Sequence, residues 1–141
     1  MKITKNIITF LEKNHMGVMT TFRENGMPQL SIVSVGLFKE GVAFSTTQNR
    51  AKLGNLKRNQ KCSLLVSQDD WREYIVLEGN ASLLCPDVTD PDELRIALRD
   101  VYKTASGSVH PDWMEFDLAM VKDDRCVVLV VPNLLYGNVP L

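Results

Sequence analysis

Hydrophobic positions along this chain recur mostly at every second residue, the period of a half-buried strand. Between Met16 and Thr47 the run MGVMTTFRENGMPQLSIVSVGLFKEGVAFSTT reads as three strands, broken at Asn25-Gly26 and again at residues 39–41. Both breaks have the composition of hairpin turns. Pro28 suits the first position of the second strand, where no ladder donor is needed. CSLLVS reads as a fourth strand and EYIVLEGNASLL as a fifth, in which Gly79 marks a bulge or a close backbone approach. RCVVLVVPNLLYG is the sixth and last, running out into a short tail.

The helical period of three to four residues occurs in four places. Residues 4–14 put Ile7, Ile8 and Leu11 on one face, with Thr4 as the cap. A second helix follows Asn49, its predicted N-cap, with Leu53 and Leu56 on one side and Gly54 either allowing close packing or weakening its middle. Asp90 caps a third, with Pro91 at its first position, Glu93 in its first turn and Leu94, Ala97, Leu98 and Val101 as its apolar stripe. SGSVHPDW opens a fourth, again with proline at or near the first helical position, and Trp113, Phe116 and Met120 recur along it. There is no internal repeat, linker or low-complexity tract. Six strands with peripheral helices predict a mainly β (α+β) domain over residues 1–141, a small antiparallel barrel with helices packed outside it.

At 141 residues and 45% hydrophobic content the chain suits one soluble domain with a sizeable core. Its 16 basic and 17 acidic residues leave a net charge of −1, so no general field for polyanions exists and nucleic acid is not expected as a partner. Any anion must be captured by a local cluster. Cys62, Cys85 and Cys126 are odd in number and far apart, without a CxxC, and read as reduced, buried thiols of a cytoplasmic protein. The start MKITKNIITF has no signal-peptide hydrophobic region, and CVVLVV is too short to span a bilayer, so no membrane association is expected.

The chain carries no GxGxxG, GxxxxGK[ST] or GxSxG, and His15 and His110 have no neighbours at metal-ligand spacing. One stretch does carry a chemical signal: TTQNRAKLGNLKR, residues 46–58. Arg50 and Lys52 fall at the start of a helix, where unpaired N–H groups and the positive end of the dipole favour a negative charge. The hydroxyls of Ser45, Thr46 and Thr47 end the strand before it. A phosphate would turn this unfavourable arrangement into a matched one, whereas without a ligand it is a solvated basic surface. Trp71 and Tyr74 sit on a loop, as core, as the cover of a planar ligand or as a subunit contact. His110 precedes Pro111 and reads as turn and helix entry, or as a substrate contact.

Taken in order, GMPQLSIVSV, STTQNRAKLGNLKRNQKCSLLV, YIVLEGNASL, HPDWMEFDLAMVKDDRCVVLVV and a final YG resemble the pyridoxamine-phosphate-oxidase-like split β-barrel family, in particular the class that uses the deazaflavin coenzyme F-420. The resemblance covers nearly the whole chain. It implies a six-stranded split barrel, a homodimer with two cofactors at the subunit interface, and an oxidoreductase that moves a hydride between coenzyme F-420 or FMN and a small unsaturated substrate. It places the cofactor phosphate on Arg50 and Lys52 beside Ser45 and Thr46, the ring against Ser31, Ile32 and Val33, and partner-subunit aromatics near Trp71 and Tyr74. Lys57 and Arg58 would meet the oligoglutamate tail of F-420, or are surface charges. True pyridoxamine phosphate oxidases carry basic residues on the second strand and an Arg-x-His near the C-terminus. Here those places read LSIVSVG and YGNVPL, so that activity is not expected.

Overall fold

The second strand-like run does not stay with one partner. In the computed structural model, which describes residues 2–141, it breaks at Val35 into β2 (Pro28–Ser34) and β3 (Gly36–Phe38). β2 pairs antiparallel with β1 (Met16–Phe22), and β3 with β4 (Gly41–Thr47). The six expected strands are therefore seven. β5 (Lys61–Ser67), β6 (Tyr74–Leu84) and β7 (Arg125–Gly137) complete an antiparallel sheet in the order β2-β1-β5-β6-β7-β4-β3. The outermost strands of this sheet are successive halves of one run, so it must curl until its ends meet at Val35. Beyond Ala43, β3 no longer accompanies β4, and β2 has turned away to β1. The barrel is closed on one side of Val35 and split on the other.

The bend costs no hydrogen bonds. The Val35 N–H donates to the His15 carbonyl at 2.8 Å, and His15 Nδ1 donates to the Val35 carbonyl at 2.9 Å. Gly36 follows because α3 (Pro91–Ser106) presses on it: an added Cβ would lie 2.5 Å from the carbonyl carbon of Thr104. Gly79 shows both of its expected features, a register break after Glu78 and a backbone approach that brings the Val131 carbonyl within 2.1 Å of an added Cβ.

Inside the barrel, Met19, Val33, Phe44, Leu64, Leu77 and Val128 form one core. α1 (Lys5–Lys13), with Thr4 Oγ1 accepting from the Ile7 N–H, adds Ile7, Phe10 and Leu11 to it, and α2 (Ala51–Arg58) adds Leu53 and Leu56. α3 and α4 (Trp113–Lys122) cover the outer face of β4 and β7, where the expected stripe of α3 and Phe116 meet Ala43, Val127 and Leu129. Arg99 clasps Asp117 across the two helices, and this hydrogen bond holds the Asp117 carboxyl below the usual carboxylate range. Asp90 caps α3 as expected. Pro111 lies outside α4 and Asp112 is its cap, accepting from the Met114 and Glu115 N–H groups. No helix among the described residues is long and apolar enough to cross a membrane.

Two of the three cysteines are not free thiols. The pairing of Leu84 with Val127 sets Cys85 beside Cys126, with Cα atoms 4.4 Å apart, and the two form a disulfide. Their separation of 41 residues hides this neighbourhood in the sequence. The bridge closes the base of the loop that carries α3 and α4. Cys62 is free and buried, and burial pushes its thiol up to about 12.

A thiol-reactive dye should therefore find no thiol in the native protein, one in the unfolded unreduced chain and three after reduction. Three without reduction would remove the bridge. Gly36→Ala should lose about 1–3 kcal/mol of stability through overpacking. Gly54→Ala, where an added Cβ meets nothing within 4 Å, should gain roughly 0.5–1 kcal/mol. Urea unfolding measures both, and opposite signs are expected.

Candidate anion and cofactor site

β4 ends in hydroxyl residues, and the turn into α2 uses one of them. Thr47 Oγ1 donates to Asn49 Oδ1 at 2.7 Å, which takes the Asn49 side chain away from the capping role expected of it. Arg50 becomes the N-cap, in extended conformation and with no side-chain cap hydrogen bond, and Lys52 is the second helical residue. The other three helices each have an oxygen of Thr4, Asp90 or Asp112 on their first N–H groups. α2 has none and no acidic residue in its first turn, so the N–H groups of Ala51 and Lys52 have no protein acceptor among the described residues.

This bare helix start is held firmly in place. Leu53 and Leu56 are fully buried. Asn55, also buried, donates through Nδ2 to Thr21 Oγ1 at 3.0 Å and to Gln29 Oε1 at 2.9 Å, tying α2 to β1 and β2. The helix consequently aims its N-terminus at the split in the barrel.

A pocket of about 350 Å³ fills that split. Ser31, Ile32 and Val33 border it from β2, Ser45, Thr46 and Thr47 from β4, and Arg50, Lys52 and Arg125 supply its charge. Seven of the ten residues singled out in the sequence thus meet in one place. Strand alternation turns the Ile32 side chain, 79% exposed, to the opposite face from Ser31 and Val33, so Ile32 borders the pocket by its backbone. β2 is an edge strand whose outer N–H and C=O groups face the split. Lys52 is held below the ordinary lysine range, first by burial and then by Arg50 and Arg125.

Two buried side-chain polar atoms among the described residues have no hydrogen-bond partner: Ser31 Oγ and Arg125 Nε. Both belong to this pocket. An unsatisfied buried donor costs about 1–3 kcal/mol, so such groups are seldom left so without reason. Donors without acceptors, three cations without a counter-charge and a helix start without a cap converge on one volume. A single anion with several acceptor oxygens would satisfy them together.

Arg125 escaped the sequence reading. It reaches Ser45 O and Oγ at 3.4 Å because β4 and β7 pair Thr47 with Arg125, a register that links residues far apart in the chain. Its one local signal is a cation opening an otherwise apolar strand. Three expected residues lie outside the pocket. Lys57 donates to Gln48 Oε1 at 3.2 Å and lies 4.0 Å from Asp87. Trp71 is exposed in the β5–β6 connection with a positive φ of 64°, and Tyr74 opens β6 beside it. Arg58, the neighbour of Lys57, donates to the Phe22 carbonyl at 2.6 Å and to Asn55 Oδ1 at 3.2 Å.

The model of the pyridoxamine 5'-phosphate oxidase family matches residues 3–134 of this chain. Solved structures share its fold. A conserved hypothetical protein from Mycobacterium tuberculosis is 19% identical with a TM-score of 0.77, over 96% of this chain and 84% of that one. An F-420 reductase is 22% identical with a TM-score of 0.65, over 95% and 98%. A pyridoxamine 5'-phosphate oxidase-related, FMN-binding protein from Nostoc punctiforme is 16% identical with a TM-score of 0.70, over 97% and 86%.

Arg50→Ala, Lys52→Ala and Arg125→Ala should each weaken binding of a phosphate-bearing ligand by roughly 1–3 kcal/mol, read by calorimetry with FMN. The thermal midpoint of the unliganded Arg50→Ala and Lys52→Ala proteins should not fall, since each change relieves repulsion. An anion favours the charged lysine, and Lys52 holds its proton less tightly than usual. Affinity should therefore decline with rising pH before the ordinary lysine value of about 10.4 is reached, and Lys52→Arg should flatten the decline. Parent-like affinity in all three alanine variants would put the anion elsewhere.

Proposed function

This chain belongs to the pyridoxamine 5'-phosphate oxidase family, and from that premise we propose that it is an oxidoreductase holding coenzyme F-420 or FMN by its phosphate in the split of the barrel. The observation that carries the proposal is the pairing of orphaned Ser31 Oγ and Arg125 Nε with three cations at an uncapped helix start. Those groups fit a phosphate. Arg50, Lys52 and Arg125 would neutralise it, and the Ala51 and Lys52 N–H groups with the Ser45 and Thr46 hydroxyls would orient it. The free edge of β2 at Ser31, Ile32 and Val33 would meet the polar rim of the ring. When bound, the flavin or deazaflavin ring supplies the hydride chemistry, to or from a small unsaturated substrate.

Pyridoxamine phosphate is not the substrate in this reading, since the residues from Leu30 to Gly36 include no cation. Coenzyme F-420 is favoured over FMN by the resemblance. The pocket itself serves the phosphate common to both.

A homodimer completes the reading. Strand register aligns Ile32, Val18, Leu65, Val76 and Tyr136 in one row across the outer face of β2, β1, β5, β6 and β7. Leu30 is 60% exposed on this face, Leu134 and Tyr136 are about half exposed, and Tyr74 shares it. A second copy would bury this apolar face and bring its own Trp71 and Tyr74 toward a cofactor. A non-catalytic carrier is the second reading, favoured by a phosphate pocket whose ionisable side chains are all cations.

Parallel fluorescence titrations of the apo-protein with FMN and with F-420 test the function. Tight binding of either with loss in the Arg125→Ala variant is expected. Binding of neither would end the proposal. Tight binding without turnover of enones or quinones by the reduced cofactor would leave the carrier.

A further inference from the structure

A second cleft, of about 570 Å³, lies between the α3–α4 hairpin and the barrel, and shares Ser45 and Arg125 with the phosphate pocket. β2 passes from one to the other: residues 31–33 border the first and Ser34 the second. Whatever occupies this cleft therefore sits beside whatever fills the split.

Its far wall is aromatic and rigid. Tyr102 and Phe116 meet edge to face with centroids 5.2 Å apart, and the His110 ring lies 5.3 Å from Tyr102 and 5.4 Å from Phe116. The hydrogen bonding of His110 fixes its chemistry. The Asp112 N–H donates to His110 Nδ1 at 3.0 Å, so Nδ1 carries no proton and Nε2 does. The Nε2–H has no protein acceptor among the described residues and belongs to a residue that lines the cleft. Glu115 and Arg125 both line the cleft, so their charges offset one another.

We propose that this cleft binds a second ligand, a planar conjugated carbonyl compound of one or two rings, with its ring against Tyr102 and Phe116 and its carbonyl oxygen accepting from His110 Nε2–H. The volume suits such a ligand, and the donor selects a ligand with an acceptor oxygen over a hydrocarbon. Calling this ligand the substrate rests on the cofactor reading above; its binding does not.

The test is amide-shift titration of the ¹⁵N-labelled full-length protein with 1-indanone, and with indane, which has the same two rings and no oxygen. Saturable shifts around Ser106, His110 and Phe116 are expected, with 1-indanone the tighter ligand by about fivefold, the worth of one neutral hydrogen bond. His110→Phe keeps an aromatic ring and removes the donor, and should abolish that preference while leaving FMN and F-420 binding unchanged. Shifts confined to other surfaces, or equal affinity for the two compounds in the parent protein, overturn the proposal whether or not the variant folds. Loss of both cofactors with 1-indanone still bound would overturn the cofactor reading and leave the cleft. Cofactor binding without 1-indanone would do the reverse.

Discussion

The bend at Val35 is the constraint on which the molecule depends. A single run of strand cannot keep β1 and β4 as neighbours along its whole length once it changes partner. By changing at Val35 it closes the sheet at one level and parts it at another. Both backbone groups of Val35 are satisfied by His15, so the partner change is stabilised locally and not tolerated as a defect. The parted level is where an edge strand, a strand end rich in hydroxyls and a helix start come together. Split and pocket are one feature seen from two sides.

That feature is electrostatically costly. Three cations crowd a helix N-terminus whose dipole already opposes them, and burial presses further on Lys52. Nothing in the surrounding framework relieves the strain: the nearest side chains are hydroxyls. The framework instead resists it, through buried Leu53 and Leu56 and through the Asn55 bonds to Thr21 and Gln29. Stability lent by the core is held as local mismatch at one place, which is what the proposed anion site requires.

Much of this was legible in the sequence, and the rest was not for identifiable reasons. Strand period, the Asp90-Pro91 helix start, the Gly79 irregularity and the last strand all follow from local rules, and β7 begins and ends where its residues say. The local signal at Arg50 and Lys52 was also sufficient to find the pocket. The partner change at Val35 was not legible, because alternation continues unbroken through it. Asn49 failed as a cap because Thr47 competes for its side chain, a contest between two good short-range bonds that composition does not decide. Arg125 and the Cys85–Cys126 bridge were hidden for one common reason. Each depends on cross-strand register between segments that the α3–α4 loop or most of the chain separates.

That register gives the pocket a place in time. Ser31 and Arg125 stand far apart in the chain, and Arg125 opens β7. Until β7 lies down between β6 and β4, Ser45 has no arginine beside it and the barrel has no wall on that side. A partly opened chain presents scattered basic residues, and the closed one alone gathers them around one pocket. A ligand held there, as proposed above, would stabilise the closed form by about 2.7 kcal/mol at a hundredfold excess over its dissociation constant.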